Sequence, residues 1–245
     1  MTIACIIPAR FNSTRFPGKL LATALGKTVL ERTFASALQY FPRSQLFVAT
    51  DDERIAAHVQ MLGGQAIFTS PDCPNGTERI AEAVAKFPGL EKAEVIVNLQ
   101  GDHPCVKAST LQAVVEVLLS DPNASMSTVA TPLKNLTDFL SPHVVKVVVD
   151  QDSNALYFSR SPIPYAKPNI LPSSALHHIG LYCFRRDYLL KYATMGTTPL
   201  QLLEDLEQLK ALEAGHRIKV AIVDEQAIAV DTPQDLVQLE QFLCQ

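Results

Sequence analysis

The chain has 245 residues, of which 47% are hydrophobic and 19% charged, and its formal net charge is -4 at pH 7. That length suits one large domain or two small ones, and the apolar share is enough to build a buried core. The slight acidity disfavours a nucleic-acid-binding surface, which is usually strongly basic on one face. No apolar run approaches the roughly 18 residues needed to cross a membrane, and the first residues lack the pattern of a secretory leader. We therefore expect a cytoplasmic protein that binds neither nucleic acid nor a membrane.

Strand and helix patterns alternate through the first half of the chain. An apolar strand over 3–7 is expected to end at Pro8 and lead into a basic loop. Hydrophobic periodicity then predicts helices over 29–40, 53–62 and 77–87, and strands over 46–50, 65–69 and 94–99. Strands separated by helices of this kind are typical of βαβ units. The predicted fold is therefore α/β and Rossmann-like, with a mostly parallel central sheet flanked by helices.

The second half is less regular. Strands are predicted over 125–131, 144–149, 156–158, 178–184 and 218–223, and helices over 111–119, 186–193, 200–214 and 233–243. The helix over 200–214 has a strong amphipathic pattern. A proline-rich stretch over 161–174 has no clear period, and loops of that length in compact domains are often functional.

The loop after the first strand carries three cations, Arg10, Arg15 and Lys19, together with the hydroxyl of Ser13. Ligands of open α/β sheets bind where strands end, and cations placed there favour an anionic ligand such as a polyphosphate. The loop lacks both GxxxxGK[ST] and GxGxxG, which disfavours an ordinary P-loop and a NAD-binding oxidoreductase. A solvated basic surface loop is the alternative interpretation of the same residues.

Two carboxylates follow predicted strands and are candidates for the same sheet edge. Asp102 comes after the strand over 94–99, and Asp231 stands before the last helix. Each is also a common type of helix-capping residue. Magnesium is usually held by one or two carboxylates plus substrate phosphates, so the pair combined with the basic loop predicts a Mg²⁺ and polyphosphate site.

An ordered set of motifs covers nearly the whole chain: PARFNSTRFPGK, ATDDERI, TSPDCPNGTERIAEAV, VNLQGDHP, VVKVVVD, ALYFSRSPIPY, HHIGLYCFR, LEDLEQLKALEAG and VDTPQDL. In this order they resemble the 3-deoxy-manno-octulosonate cytidylyltransferases. The resemblance implies a nucleotide-diphospho-sugar transferase fold and transfer of CMP from CTP to 3-deoxy-D-manno-octulosonate (KDO), with release of pyrophosphate. It also implies a homodimer and a place in lipopolysaccharide biosynthesis.

The resemblance assigns roles to individual residues. Arg10, Ser13, Arg15 and Lys19 would bind the triphosphate of CTP, and Gly76, Thr77 and Arg79 its base and ribose. Gln100, Arg160, His178, Tyr182, Glu207 and Gln208 would bind the sugar acid, and Asp102 and Asp231 would hold magnesium. Lys19, Asp102, Arg10 and Arg15 are thereby the expected catalytic residues. The expected organisation is a single domain over 1–245, in which residues 132–200 contribute to the sugar-acid pocket and to dimer contacts.

Three positions and one segment depart from the family pattern. His103 stands where an acidic residue is usual, Asn75 where serine is usual, and Lys210 where arginine is usual. The segment QAIAV over 226–230 replaces a glycine-bearing approach to the VDTP motif. These departures bear on sugar affinity and metal geometry more than on the reaction. Two alternatives remain open, a cytidylyltransferase for another sugar acid such as sialic acid, and a non-catalytic nucleotide-sugar binding protein.

Overall fold

The computed structural model describes residues 1–13, 15–167, 170–225 and 228–244. The chain divides into two compact units, Met1–Leu111 with Ala227–Gln245 (unit 1) and Gln112–Gln226 (unit 2). This division into compact units does not test the expectation of a single domain over 1–245, which stays a prediction. Within the described ranges no helix is long and apolar enough to cross a membrane.

The helices and strands agree closely with the sequence patterns. The strands are β1 (Ile3–Ala9), β2 (Thr23–Ala24), β3 (Lys27–Thr28), β4 (Leu46–Thr50), β5 (Gln65–Phe68), β6 (Val95–Asn98), β7 (Met126–Pro132), β8 (Lys146–Val149), β9 (Ala155–Ser159), β10 (Leu176–Arg185) and β11 (Ile218–Ile222). The helices are α1 (Val29–Ala37), α2 (Glu53–Met61), α3 (Gly76–Lys86), α4 (Ala108–Leu119), α5 (Leu136–Leu140), α6 (Arg186–Thr194), α7 (Pro199–Glu204), α8 (Leu209–Glu213) and α9 (Pro233–Leu243).

Unit 1 contains the parallel sheet that the βαβ pattern predicts. Its strands lie in the order β6, β1, β4, β5, and every neighbouring pair is parallel. The central strand β1 is buried from Ala4 to Ala9, which is expected of a parallel strand covered by helices on both faces. It does not end at Pro8, because Pro8 and Ala9 still pair with Ala49 and Thr50 of β4. Proline fits there because the extended conformation accepts its fixed φ.

Unit 2 contains a mixed sheet. β11 and β7 are parallel, whereas β10 is antiparallel to both β7 and β8, and β8 is antiparallel to β9. The described part of the proline-rich stretch, 161–167 and 170–174, has neither helix nor strand, and Pro168 and Asn169 lie outside the described residues. The mostly parallel, helix-flanked sheet of the predicted fold class is thus confirmed, with its antiparallel strands in unit 2.

One helix prediction is wrong. The expected continuous helix over 200–214 is two short helices, because Asp205 adopts a left-handed conformation with φ 52° and ends α7. The break lets Glu204 accept hydrogen bonds from the Ser159 hydroxyl at 2.7 Å and the Arg160 backbone N–H at 2.9 Å. Leu206 is buried within the interruption. These tertiary contacts outweigh the weak intrinsic preference for one longer helix.

Candidate functional site

The carboxyl end of β1 opens into a pocket of about 300 Å³ in unit 1. We call residues 10–19 the phosphate loop; four of its members, Arg10, Ser13, Arg15 and Lys19, line this pocket. The other predicted residues that line it are Gly76, Arg79, Gln100, Asp102 and Asp231. The structure therefore brings residues from four separate parts of the chain to one sheet edge, as expected for an α/β ligand site.

Lys19 lines this pocket and bridges two of its carboxylates. Its Nζ donates to Asp102 Oδ2 at 2.5 Å and to Asp231 Oδ1 at 2.9 Å. Arg15 adds a second cation, with its guanidinium 2.9 Å from Asp231 Oδ1. His103 lies 3.8 Å from the other oxygen of Asp102. The departure from the family pattern at position 103 thus places an imidazole where a carboxylate would repel Asp102.

The charges in this group control each other's protonation. Burial lowers the pKa of Lys19, but the neighbouring Asp102 and Asp231 outweigh burial and raise it overall. For Asp231, burial raises the pKa, but the hydrogen bond and charge of Lys19, with help from Arg15, outweigh burial and lower it. Lys19 is therefore a cation and Asp231 an anion at neutral pH.

The donor set fits a magnesium ion that also binds substrate phosphates. One carboxylate oxygen of Asp102 and one of Asp231 lie within hydrogen-bond distance of the same Lys19 nitrogen, so both carboxylates face a common point. Among the described residues no group of three or more His, Cys, Asp and Glu side chains is arranged to hold a metal. One or two carboxylates completed by phosphate oxygens and water is the usual way proteins bind Mg²⁺.

The start of α3 forms the opposite wall. Asn75 caps the helix by accepting a hydrogen bond from the Glu78 N–H at 2.8 Å, which is the role that the usual serine would also fill. A Cβ on Gly76 would lie 3.1 Å from Pro8 Cγ and 3.2 Å from Gln100 Oε1. Any larger residue would force Pro8 or Gln100 to shift by a few tenths of an ångström, so glycine favours the close approach of the backbone to the sheet edge. Cys73 and Pro74 also line this wall, and sequence reasoning assigned them no role although they belong to the quoted TSPDCPNGTER motif.

Thr77 and Arg79 have structural partners. Thr77 is buried, does not belong to the described pocket lining, and its hydroxyl accepts from Asn98 Nδ2 at 3.1 Å. Arg79 is 3% exposed and donates to Thr69 Oγ1 at 2.6 Å, while its guanidinium lies 3.3 Å from Asp51. Arg79 thus lines the pocket, while its guanidinium is hydrogen-bonded to Thr69 and paired with Asp51.

Gln100 is oriented by its neighbour at the end of β6. Its Nε2 donates to Asn98 Oδ1 at 3.3 Å, so its carbonyl oxygen is the atom directed toward Gly76. A carbonyl oxygen accepts hydrogen bonds. In this orientation Gln100 would bind a hydroxyl of a ligand rather than its carboxylate.

The remaining predicted sugar-acid residues lie in unit 2. Tyr182 donates to Gln208 Oε1 at 3.1 Å, and His178 shares a 2.8 Å hydrogen bond with Thr128. The rings of His178 and Tyr182 are 5.5 Å apart. Burial, reinforced by the charge of Glu207, raises the pKa of Tyr182 far above its ordinary value, so its hydroxyl stays protonated.

Gln208 keeps one donor available in this buried group. Its side chain is almost fully buried, and its Nε2 has no hydrogen-bond partner among the described residues. A buried, unsatisfied amide N–H is costly. It is therefore suited to donating a hydrogen bond to an acceptor on a ligand.

Arg160 lies apart from these hydrogen bonds. Its guanidinium donates to the backbone carbonyls of Glu204 at 2.8 Å and Pro142 at 3.1 Å. Its backbone N–H donates to the Glu204 carboxylate. Sequence reasoning did not single out Glu204, although it fixes the segment that carries Arg160; its place inside an apparent amphipathic helix gave no signal.

Comparison with known proteins identifies the family of this chain. The sequence profile of the cytidylyltransferase family matches residues 4–218. The 3-deoxy-manno-octulosonate cytidylyltransferase of Protochlamydia amoebophila is 49% identical, over 98% of this chain and 93% of that protein, and the enzyme of the same name from Chlamydia pneumoniae is 44% identical, over 97% and 92%. A solved structure of CMP:2-keto-3-deoxy-manno-octonic acid synthetase complexed with CTP has a TM-score of 0.92 and 35% identity, covering 100% of this chain and 99% of its own. The chain therefore belongs to the 3-deoxy-manno-octulosonate cytidylyltransferases.

Proposed function

We propose that this chain transfers CMP from CTP to KDO, giving CMP-KDO and pyrophosphate, with Mg²⁺ as its cofactor. Relatives of 49% and 44% identity carry the name of this activity. The observation that carries the proposal is the group formed by Lys19, Asp102 and Asp231 in a pocket lined by the phosphate loop. A cation between two carboxylates beside further cations is suited to a nucleoside triphosphate and its metal.

The reaction is an in-line displacement at phosphorus. The anomeric hydroxyl of KDO gives its proton to water and its oxygen bonds to the α-phosphorus of CTP, while the bond from that phosphorus to the pyrophosphate oxygen breaks and its electron pair leaves with pyrophosphate. Arg10, Arg15 and Lys19 hold the triphosphate and neutralise the charge that develops on the departing pyrophosphate. Magnesium, when bound, supplies positive charge that polarises phosphate oxygens and makes a bound hydroxyl more acidic. Asp102 and Asp231 are the residues that would hold it.

The polar group of unit 2 is proposed to bind the sugar acid. The protonated Tyr182 hydroxyl, the Gln208 amide and His178 offer both donors and acceptors in a buried setting. A polyhydroxylated acid such as KDO needs that combination. A site built on buried polar groups discriminates strongly against ligands that leave those groups unpaired.

Pyrophosphate release tests this function. The assay crosses CTP, UTP, ATP and GTP against KDO and sialic acid, with and without magnesium. We expect release only for CTP with KDO in the presence of magnesium. Release with sialic acid instead of KDO assigns a different sugar-acid specificity, and CTP binding without release under any combination identifies a non-catalytic nucleotide-binding protein.

We also propose that the chain works as a homodimer in the cytoplasm, in lipopolysaccharide biosynthesis. Several apolar side chains of unit 2, among them Leu156, Leu202 and Leu203, are more than half exposed, and large exposed apolar surface often marks protein interfaces. Light scattering is expected to give twice the chain mass, and Leu203→Glu to shift it toward the monomer. A monomeric wild type contradicts the dimer and leaves the catalytic proposal intact.

A further inference from the structure

The phosphate loop needs an anchor, because it carries four predicted phosphate ligands outside any strand. Among the described residues of the loop, 10–13 and 15–19, only the last, Lys19, belongs to a helical turn, the 3-10 turn Lys19–Leu21. The Gly18 N–H closes the loop by donating to the Phe11 carbonyl at 2.9 Å. Gly18 has φ 72°, a left-handed conformation that favours glycine. The Lys19 N–H also donates to the Phe16 carbonyl at 3.2 Å. Both bonds are local to the loop, so the position of the closed loop is set by side chains.

Phe11 provides the side-chain contact. A Cβ on Gly18 would lie 3.1 Å from Phe11 Cζ, so the ring packs directly against the end of the loop. The ring also meets Arg54 of α2, whose Cζ is 3.3 Å from the ring centroid. Guanidinium groups stack favourably on aromatic faces. Phe11 therefore connects the phosphate loop to α2.

Arg54 is itself held in place by Asp52. Its Nε donates to Asp52 Oδ1 at 3.0 Å and its NH2 group to Asp52 Oδ2 at 2.6 Å. Asp52 Oδ1 also accepts a hydrogen bond from the Arg54 backbone N–H, so Asp52 caps the N-terminus of α2. The guanidinium lowers the pKa of Asp52, so the pair stays ionised at neutral pH. A bidentate pair fixes the plane of the guanidinium as well as its position.

We propose that Phe11, Arg54 and Asp52 form a latch that fixes the phosphate loop to the start of α2, so that Phe11 and Arg54 are positioning residues for the triphosphate. Neither Phe11 nor Arg54 is among the described residues that line the pocket. Both therefore act through the loop, and Asp52 neutralises the charge of Arg54 at close range. This inference rests on the proposed binding of CTP by the phosphate loop.

A double-mutant cycle on CTP affinity tests the latch. Isothermal titration of CTP in magnesium buffer compares the full chain with Phe11→Leu, Arg54→Lys and the double variant. Arg54→Lys keeps the positive charge but loses the planar, bidentate fork. We expect each single change to weaken CTP binding by about two- to fivefold. The double variant should bind CTP no more weakly than the single variant of lower affinity, because both changes remove the same contact.

Two further variants separate positioning from a general structural effect. Phe11→Tyr keeps the ring and is expected to keep wild-type CTP affinity. Arg43→Lys alters a cation–aromatic contact elsewhere in unit 1, with Phe34, and is expected to leave CTP affinity unchanged. The KM for KDO should stay the same in every variant that binds CTP.

The outcomes are distinct. Any of three results overturns the latch. The losses of CTP affinity in the two single variants multiply in the double variant, both single variants keep wild-type CTP affinity, or Phe11→Tyr loses as much CTP affinity as Phe11→Leu. If Arg54→Lys fails to fold, the Phe11→Leu and Phe11→Tyr pair decides alone. A wild-type protein that binds no CTP at all refutes the proposed function rather than the latch.

Discussion

Lys19 and the proposed magnesium ion would compete for the same two carboxylates. In the structure the ammonium group of Lys19 pairs with both Asp102 and Asp231 and is only 13% exposed. In the proposed function, CTP would offer phosphate oxygens to Lys19 and so release the carboxylates for magnesium. The phosphate loop and the proposed metal site would then be coupled through one side chain.

Replacing this lysine should have opposite effects on metal and nucleotide. In Lys19→Met we expect Mn²⁺ to bind roughly tenfold more tightly without nucleotide, because the competing positive charge is gone. CTP should bind more weakly. Electron paramagnetic resonance measures free Mn²⁺ directly, and Lys27→Met, which loses an exposed ion pair with Glu31, is the matched control. Weaker Mn²⁺ binding in Lys19→Met would mean that the lysine does not compete with metal.

Glu82 gives a pH dependence whose sign follows from its contacts. Its carboxylate accepts from the Ser70 N–H at 2.9 Å, Cys73 Sγ at 3.0 Å and Lys86 Nζ at 2.6 Å. Burial raises its pKa, but the hydrogen bonds from Cys73 and Lys86 outweigh burial and lower its pKa from 4.5 to about 2. The ionised carboxylate thus stabilises the folded state at pH values above the pKa that Glu82 has in the unfolded chain. This contribution is lost as the pH falls through the lower pKa of the folded state.

Glu82→Gln should therefore be less stable than the wild type at pH 6. The difference in unfolding free energy should shrink as the pH falls from about 4.5 toward about 2. Urea unfolding across this range measures it, with the exposed Glu91→Gln as control. A difference that stays constant across the range would show that the charge of Glu82 contributes nothing.

At the scale of elements, β8 carries a buried cation inside an apolar strand. The Nζ of Lys146 donates to the carbonyls of Ser141 at 2.8 Å, Val144 at 2.6 Å and Arg160 at 2.6 Å. The residue is fully buried. It ties β8 to the loop before it and to the segment after β9 that carries Arg160.

Lys146→Met keeps the length of the side chain but removes the donor of all three carbonyls. We expect the free energy of unfolding to fall by about 1–3 kcal/mol. Lys134→Met removes an exposed ion pair with Asp224 and should cost less than about 0.5 kcal/mol. Denaturant unfolding separates the two, and equal losses would contradict the structural role of Lys146.

The helix over 200–214 marks the limit of sequence reasoning at this scale. Its apolar spacing predicts one helix, yet the left-handed Asp205 divides it. The cause lies about 45 residues away in the chain, where Ser159 and Arg160 bond to Glu204. By contrast, α9 has the predicted bounds, because its capping residue Thr232 and first-turn proline are local signals.

At the scale of the whole molecule, local pattern was enough to predict unit 1 and insufficient for unit 2. Apolar strands alternating with helices identify parallel βαβ units from the sequence. A buried strand looks the same whether its neighbour is parallel or antiparallel, so the pairing of β10 with β7 and β8 was not predicted.

The candidate site divides in the same way. The basic loop and the carboxylates at strand ends could be predicted from charge and topology, and the structure brings them together in one pocket. The sugar-acid residues were predicted only through the family motifs. The structural observation that supports them is the buried amide nitrogen of Gln208, which has no hydrogen-bond partner among the described residues. A sequence cannot show this, because it depends on the three-dimensional surroundings of the side chain.

Asp102 is the proposed metal carboxylate on which the nucleotidyl transfer depends. The most direct test is steady-state turnover of Asp102→Asn with CTP, KDO and saturating magnesium, beside Asp187→Asn, which alters a carboxylate that is 97% exposed. We expect kcat to fall by at least about a hundredfold in Asp102→Asn, with a native circular dichroism spectrum, while Asp187→Asn keeps wild-type turnover. Near-wild-type turnover of a folded Asp102→Asn would contradict this role of Asp102.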